Sequence, residues 1–166
     1  MSNTGHLRQL EVLPERTGSF RVSIIFHSAF SAPWRLTIER ATKDWDVELA
    51  SWAKQARRDF MVSSPLQMYE ELDRTPFITE RALVGVDKDL DTELRRASTM
   101  TSLVEENILD GWTAVVSFDD AGRTNSFKLR FAGTDRREYA LLRAAIQIGR
   151  AALSAPRSLE ALRLLD

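Results

Sequence analysis

The sequence predicts an α+β fold in which an antiparallel sheet of about five strands is covered by helices on one side. The first observation is the alternation of apolar and polar residues in several short segments, which is the period of half-buried strands. The second is a set of longer segments whose apolar residues recur every three or four positions, as on one side of a helix. The third is that strand, strand and helix patterns follow one another twice, over 20–58 and 112–150, which suggests two ββα pseudo-repeats.

The chain of 166 residues has the length of one domain, and its 43% hydrophobic and 28% charged residues are typical of globular proteins. Residues 1–18 show no sustained period, so we expect a loose N-terminal arm before a single α+β domain over 19–166. The absence of cysteine excludes disulfides and thiolate chemistry. We expect neither a membrane span nor a secretory leader, and a cytoplasmic location is the simplest interpretation.

The first two predicted strands form a hairpin at 20–26 and 34–38. Apolar residues occupy alternate positions in each segment, and polar residues such as Arg21 and Arg35 lie between them. The link between the segments is too short for a parallel crossover, so we expect an antiparallel pair.

A helix is predicted next, beginning at Asp44 or Asp46 and ending before Pro65. Acidic residues at a helix start accept hydrogen bonds from free backbone N–H groups, and proline disfavours helical conformation in the preceding residue. A second, short helix follows at 66–72 and ends near Pro76. The apolar stripe of the first helix consists of Trp45, Leu49, Trp52, Ala53, Ala56 and Phe60.

A strand at 78–86 carries apolar residues on both faces, which favours a central position in the sheet. Asp87 or Asp89 should cap the following helix, whose apolar seam continues to Ile108. Gly111 should end that helix, because glycine tolerates the left-handed conformation found after helix C-termini.

The last third of the chain contains predicted strands at 112–118 and 127–131. A long helix over 135–154 follows and is broken by Pro156, and Ser158 should cap a last short helix. The spacing along all helices predicts a core against the sheet that contains Trp45, Leu49, Trp52, Leu94, Val104, Leu142 and Ile146.

The net charge of −1 conceals charges that are separated along the chain. Residues 44–110 carry eight basic and fifteen acidic groups, a net charge of −7, whereas residues 121–166 have a net charge of +5. Solvated helix surface is one explanation. An acidic surface that faces a partner is the other, since separated fields steer association. The predicted partner-binding residues are Glu70, Glu71, Asp73, Asp87, Asp89, Asp91, Glu105 and Glu106.

Patterns that carry catalytic or ligand chemistry are incomplete in this sequence. Residues 87–91 imitate the start of a calcium loop, but Thr92 and Ser98 stand where that loop needs glycine and glutamate. His6 and His27 are the only histidines, too few for a typical zinc site. The glycines are scattered and form no phosphate loop. We therefore predict no metal site, no cofactor and no catalytic residues.

Two sets of basic residues support an alternative function. One set lies on the polar faces of predicted strands and would form a basic platform if that sheet face were open. The other recurs every seven residues on one side of the helix over 135–154, where it would bind phosphate or pair with the acidic segment. The platform comprises Arg21, Arg35, Lys128 and Arg130, and the helix set comprises Arg136, Arg143 and Arg150.

The sequence favours a small protein-binding module, not an enzyme, that meets a basic protein partner through an acidic surface. Bacterial immunity proteins, antitoxins and phage-encoded inhibitors have this general profile of one compact domain without a cofactor, which is an analogy at the level of class. Such an inhibitor would cover the active site of its partner. The alternative is a nucleic-acid-binding or regulatory module that uses the arginine-rich helix 135–154, and an enzyme whose site is assembled only in space stays open.

Because the calcium-loop pattern fails and the glycines are scattered, we predict that calcium, zinc and ATP leave the melting temperature unchanged. A ligand that binds only the native state must raise stability. Thermal denaturation with and without each ligand measures this, and a saturable upward shift of several degrees would contradict the prediction.

Overall fold

The structure is a computed structural model that describes residues 5–15, 18–28, 31–55, 60, 64–98, 112–130 and 137–163. Within these residues the chain forms five helices and six strands. Their bounds in chain order are α1 (Gly5–Glu11), β1 (Phe20–Ser28), β2 (Trp34–Arg40), β3 (Asp44–Trp52), α2 (Pro65–Leu72), β4 (Phe77–Gly85), α3 (Lys88–Ala97), β5 (Trp112–Asp120), β6 (Arg123–Arg130), α4 (Arg137–Ala152) and α5 (Pro156–Ala161).

The strands form one sheet in the order β4-β3-β2-β1-β5-β6, and all neighbours are antiparallel. The hairpin predicted at 20–26 and 34–38 is present, with Phe26 opposite Trp34. The α+β class and the antiparallel sheet packed against helices are confirmed, with six strands in the described residues instead of about five.

The region 44–60, predicted as a helix, contains the strand β3 instead. β3 pairs with β2 on one side and with β4 on the other, and Trp45, Val47 and Leu49 share one of its faces. Apolar residues four apart, such as Trp45 and Leu49, fit a helix and a strand equally well. Trp52 interrupts the strand alternation of β3, because its side chain is buried on the opposite face of the sheet in a second apolar cluster. The helix prediction was therefore wrong.

The third strand also contradicts the ββα pseudo-repeat. β1, β2 and β3 precede α2, whereas only β5 and β6 precede α4, so the two halves do not match. β4 was predicted to be central, but it lies at the edge of the sheet beside β3. Its burial alternates along its length between half-buried and exposed side chains, as in a strand with one face on the core and one face in water.

One face of the sheet, the helix face, packs against α3, α4 and α5 and encloses the main apolar core. Leu94 from α3 and Leu142 and Ile146 from α4 are buried against it, which confirms these predicted core residues. Val104 lies outside the described residues. The helix face is defined by the side chains of Val22, Ile24, Leu36, Ile38, Val47, Leu49, Ala114, Val116 and Phe127.

The opposite face, the arm face, is also covered, so the prediction of helices on one side was wrong. α1 and α2 pack on this face around a second apolar cluster. Leu10 from α1 and Met68 from α2 are fully buried there with Trp52. Residues 5–15, part of the segment predicted as a loose arm, thus include a helix that packs on the sheet. The arm face is defined by the side chains of Arg21, Ser23, Arg35, Thr37, Glu39, Asp46, Glu48 and Arg81.

Side chains cap the N-termini of α2 and α3. The Ser64 hydroxyl accepts a hydrogen bond from the backbone N–H of Gln67 at 3.3 Å. Asp87 Oδ1 accepts from the backbone N–H groups of Asp89 at 2.9 Å and Leu90 at 3.1 Å. The capping of α3 by Asp87 that the sequence predicts is confirmed.

The start of α5 is held by a residue of another element. Ser158 was predicted as the cap, but Ala155 is the N-cap residue and Pro156 begins the helix, so Ser158 lies inside it. The carboxylate of Glu80 on β4 accepts hydrogen bonds from the backbone N–H groups of Ser154 at 2.9 Å and Ala155 at 3.1 Å, and from the Ser158 hydroxyl. The sequence misleads here because the capping oxygen comes from a strand about 75 residues away.

The burial of Leu49 on the helix face provides a test of the β3 assignment. Leu49 is fully buried, whereas Leu83 on the neighbouring strand is 64% exposed. Leu49→Ala should lower the free energy of unfolding by about 2–5 kcal/mol through lost apolar burial and the cavity that remains. The matched change Leu83→Ala should alter it by less than about 0.5 kcal/mol. Denaturant unfolding measures both changes, and equal effects would contradict the placement of β3.

The contact between Glu80 and α5 should make stability depend on pH. Burial by itself raises the pKa of Glu80, but the hydrogen bonds from Ser158, Ser154 and Ala155 and the charge of Arg157 outweigh burial, and the pKa is lowered from its ordinary value of 4.5. The stabilisation by ionised Glu80 is therefore present above pH 4.5 and is lost as the pH falls through the lower folded-state pKa.

Glu80→Gln should thus lower the free energy of unfolding by about 1 kcal/mol near pH 7, the scale of a solvent-screened charged hydrogen bond. The difference from the parent protein should shrink as the pH falls below 4.5. Glu93→Gln is the control, because the Glu93 carboxylate forms an exposed pair with Arg96 and should matter little. A difference that stays constant from pH 7 to pH 3 would refute the assignment.

Candidate protein-binding face

The register of the sheet aligns the arm-face side chains in rows that cross all six described strands. Small hydroxyl side chains make up most of one row, and the next row places a single arginine among three acidic side chains. Cβ atoms of direct neighbours in a row are about 4.5–5.5 Å apart, and those of diagonal neighbours in adjoining rows are about 7–8 Å apart. Long charged side chains can therefore pair both within a row and between adjoining rows. The two rows are Ser126–Ser117–Ser23–Thr37–Glu48–Arg81 and Thr124–Asp119–Arg21–Glu39–Asp46–Leu83.

Two arginine–glutamate pairs occupy the centre of the arm face. Arg21 donates to Glu39 through Nε at 3.1 Å and through Nη2 at 2.7 Å, and Arg35 Nη2 donates to Glu48 at 2.6 Å. Arg21, Glu39 and Arg35 are 8%, 3% and 2% exposed. Buried charges of this kind require partners, because removal of one member typically destabilises a protein by about 3–5 kcal/mol.

A third pair joins Arg81 on the edge strand to Asp46, with an Nε–Oδ1 distance of 2.8 Å. The hydrogen bond to Asp46 raises the pKa of Arg81. At the centre of the face, burial lowers the pKa of Arg35, and the hydrogen bond and charge of Glu48 oppose that effect. Both arginines stay charged, since guanidinium groups are not deprotonated in proteins. The two sites differ in exposure, since the Arg35 side chain is 2% exposed and the Arg81 side chain is 44% exposed.

The chain that follows α1 crosses the arm face and is held by the two central arginines. Arg35 Nη1 donates to the carbonyl oxygen of Leu10 at 2.7 Å and also to that of Val12. Arg21 Nη2 donates to the carbonyl oxygen of Pro14 at 2.9 Å. The two arginines thus bind the main-chain carbonyl oxygen of every second residue from Leu10 to Pro14.

Residues 12–15, the cover segment, leave a groove on either side. One groove has a volume of about 430 Å³, and its lining includes Ser23 and Ser117 on β1 and β5. The other has a volume of about 360 Å³, and its lining includes Glu48 and Phe77 on β3 and β4. Both grooves are open to solvent, so the cover segment leaves parts of the arm face accessible on either side.

Exposed apolar side chains concentrate on the arm-face side of the molecule. Within the described residues, the exposed large hydrophobic side chains are Val12 at 70%, Leu13 at 43%, Leu66 at 65% and Leu83 at 64%. The first two belong to the cover segment, Leu66 belongs to α2, and Leu83 lies on the arm face of β4. Single exposed apolar residues are common, so these four indicate a candidate contact surface only together with the adjacent grooves.

Three of the predicted partner-binding residues lie at the end of α2, on this same side. Glu70 is exposed, Glu71 lies 3.5 Å from Arg74 in an exposed pair, and Asp73 is the exposed C-cap residue. The last turn of α2 contains no basic residue. Because a helix C-terminus already carries partial negative charge, these carboxylates do not help α2 to form.

The predicted residues on α3 have a different setting. Asp87 caps α3, Asp89 and Asp91 lie in its first turn, and Asp91 pairs with Arg95 at 3.2 Å. Acidic groups at a helix start stabilise it, so the helix itself accounts for these three carboxylates. β4 separates α2 from α3 by nine residues, roughly 30 Å of strand. The six predicted residues that the structure describes therefore divide into two groups on different helices.

The predicted basic platform does not form an open surface. Arg21 and Arg35 are buried in their ion pairs beneath the N-terminal chain, and of the remaining members Lys128 is exposed and Arg130 ends β6. On α4, Arg143 is exposed, but Arg150 Nη2 donates to the carbonyl oxygen of Leu162 at 2.8 Å and ties α4 to the residue that follows α5. The predicted residues Glu105, Glu106 and Arg136 lie outside the described residues.

Sequence reasoning missed the carboxylates of β3 because it assigned them to a helix. Asp44, Asp46 and Glu48 occupy alternate positions with apolar residues between them, which was a usable strand signal. It also missed the hydrogen bonds from Arg21 and Arg35 to the cover segment, because the local sequence contains no signal for them.

Among the described residues, no group of three or more histidine, aspartate or glutamate side chains is placed to hold a metal ion. Across the same ranges, no helix has the length and apolar character needed to cross a bilayer. No protein-family model matches the sequence, and comparisons with curated proteins and with solved structures found no match.

Proposed function

We propose that this chain is a protein-binding module whose contact surface is the arm-face side of the sheet. The observation that carries the proposal is that every exposed large hydrophobic side chain within the described residues belongs to that side. Protein interfaces bury such side chains within a polar rim. The charged rows of the arm face and the end of α2 supply a rim of that kind.

The carboxylates at the end of α2 support a basic partner. Glu70, Glu71 and Asp73 lie where the helix dipole makes negative charge unfavourable, unlike Asp87 at the start of α3. Residues that do not stabilise their own helix are candidates for a role in binding. A basic partner would relieve this unfavourable charge and would be steered toward it.

The narrower form of the proposal is an inhibitor of the immunity or antitoxin type that covers the active site of its partner. It is supported by the class-level analogy and by the acidic end of α2. A cytoplasmic location is part of this narrower form, and it is supported by the cysteine-free sequence.

Neutralising the α2 carboxylates should slow association with the partner. The partner is first captured from extracts of the cells that naturally contain the chain and is identified by mass spectrometry. Glu70→Gln, Glu71→Gln and Asp73→Asn together should then lower the association rate by about tenfold and flatten its salt dependence. The matched control removes the same charge from α3 through Asp89→Asn, Asp91→Asn and Glu93→Gln, and it should leave the rate near that of the parent.

Charge placed on the exposed apolar residues tests the surface independently. Leu66→Lys and Leu83→Lys should each weaken capture of the same partner, because a lysine there opposes burial in an interface. Ala151→Lys adds the same charge to the exposed side of α4 and should leave capture unchanged. If Leu66→Lys and Leu83→Lys both leave capture of the partner unchanged, the arm-face side is not the contact surface.

A gel mobility shift with mixed-sequence RNA and DNA at low salt tests the alternative. The protein-binding proposal predicts no shift at micromolar protein. A tight shift that Arg136→Ala with Arg143→Ala abolishes would instead establish nucleic-acid binding through the arginine-rich segment 135–154.

A further inference from the structure

The bonds that hold the cover segment are made to its main chain. Arg21 and Arg35 donate hydrogen bonds to carbonyl oxygens, which include those of Val12 and Pro14. The side chains of Val12 and Leu13 remain 70% and 43% exposed. A site that binds carbonyl oxygens and leaves side chains in water can accept extended peptides of many sequences.

The two arginines are held in place without the cover segment. Arg35 donates to Glu48 through Nη2 and to the main chain through Nη1. Arg21 donates to Glu39 through Nε and Nη2, and the same Nη2 also donates to Pro14. A guanidinium has five N–H donors, so each arginine retains donors for a peptide after its carboxylate is satisfied. Donors that are already positioned lose little entropy when a ligand arrives.

The cover segment fits its site incompletely. The two grooves of about 430 Å³ and 360 Å³ remain on either side of it. On β2, between Arg35 and Glu39, the buried hydroxyl of Thr37 finds no hydrogen-bond partner among the described residues. An unpaired buried hydroxyl is unfavourable, and the grooves on either side leave room for a ligand larger than the cover segment.

From these contacts we propose that the arm face contains a peptide-binding groove, which the cover segment occupies in the free protein and an extended segment of the protein partner occupies in the complex. The proposal rests on the protein-binding function and specifies what the partner contributes, a strand whose carbonyl oxygens meet Arg21 and Arg35. The proposal requires the cover segment to move aside between two anchors. Leu10 is buried in the second apolar cluster, and the Gly18 N–H donates to Glu39.

The cover segment competes with any added peptide, because its tether gives it an effective concentration of about millimolar. A free peptide should therefore bind the parent chain weakly, in proportion to the fraction of molecules that are open. Leu13→Gly with Pro14→Gly should loosen the cover segment, since glycine loses more conformational entropy on ordering. The carbonyl acceptors remain in that variant.

The first experiment uses a fluorescein-labelled peptide with the sequence of the cover segment, residues 12–15, VLPE, and measures its fluorescence anisotropy with the full chain. The loosened variant should bind this peptide about tenfold more tightly than the parent does. Equal affinity for the parent and the loosened variant would overturn the proposal.

The second experiment removes the donors within the loosened variant. Arg21→Gln with Glu39→Gln removes a guanidinium and its buried counter-charge together, and peptide affinity should fall by about tenfold. Arg35→Gln with Glu48→Gln is an independent second test with the same expectation. The matched control is Arg96→Gln with Glu93→Gln, an exposed ion pair on α3 away from the arm face, and it should leave peptide affinity unchanged.

Hydrogen exchange on the same full-length variants reports whether the sheet is intact. The amides of β1 and β2 should stay protected in all of them, while those of the cover segment should exchange much faster than those of the sheet. Retained sheet protection together with unchanged peptide affinity after loss of both arginine pairs would overturn the proposal.

Partner capture separates failure of the groove from failure of the proposed function. Tighter capture by the loosened variant supports both. Capture that still depends on Leu83 and the α2 carboxylates but is not strengthened by loosening would overturn the groove and leave the protein-binding function standing. A stable dimer formed by the loosened variant, seen by light scattering, would identify a second copy of this chain as the occupant and overturn the proposal of a foreign peptide.

Discussion

The two buried arginine–glutamate pairs at the centre of the arm face are the interaction on which the rest of the structure depends. β1 and β2 are covered on both faces, with apolar side chains on the helix face and charged or hydroxyl side chains on the arm face. Charged groups can be buried there only because Arg21 binds Glu39 and Arg35 binds Glu48. The pairs thus allow one sheet to carry helices on both sides although only one of its faces is largely apolar.

The same arginines determine where the N-terminal chain lies. The last carbonyl groups of a helix have no partner within it, and Arg35 donates to that of Leu10 at the end of α1. A helix of seven residues is too short to be stable alone, so α1 depends on this bond and on the burial of Leu10. Stability and the proposed recognition therefore use the same side chains, Arg21 and Arg35. A peptide that enters the groove must replace the carbonyl oxygens of the cover segment on these arginines.

The position of a carboxylate relative to a helix end separates structural from functional candidates in this chain. Asp87 and the Glu80 carboxylate meet backbone N–H groups at the starts of α3 and α5, where negative charge is favourable. Glu70, Glu71 and Asp73 lie at the C-terminus of α2, where negative charge is unfavourable. Composition treats all of these residues alike, and only their place in the fold makes the end of α2 the stronger candidate for contact with a partner.

The sequence by itself determined the α+β class, the hairpin of β1 and β2, the strands β5 and β6 and the cap of α3, because periodicity and capping chemistry act between residues that are near in the chain. It did not determine β3, whose residues Trp45 and Leu49 satisfy helical and strand periods alike. Only the tertiary structure decided three further features: the position of β4 at the sheet edge, the hydrogen bonds from the start of α5 to Glu80, and the hydrogen bonds that hold the cover segment. These features arise from hydrogen bonds and ion pairs between distant parts of the chain, such as Arg35 with Leu10, and no local pattern contains them.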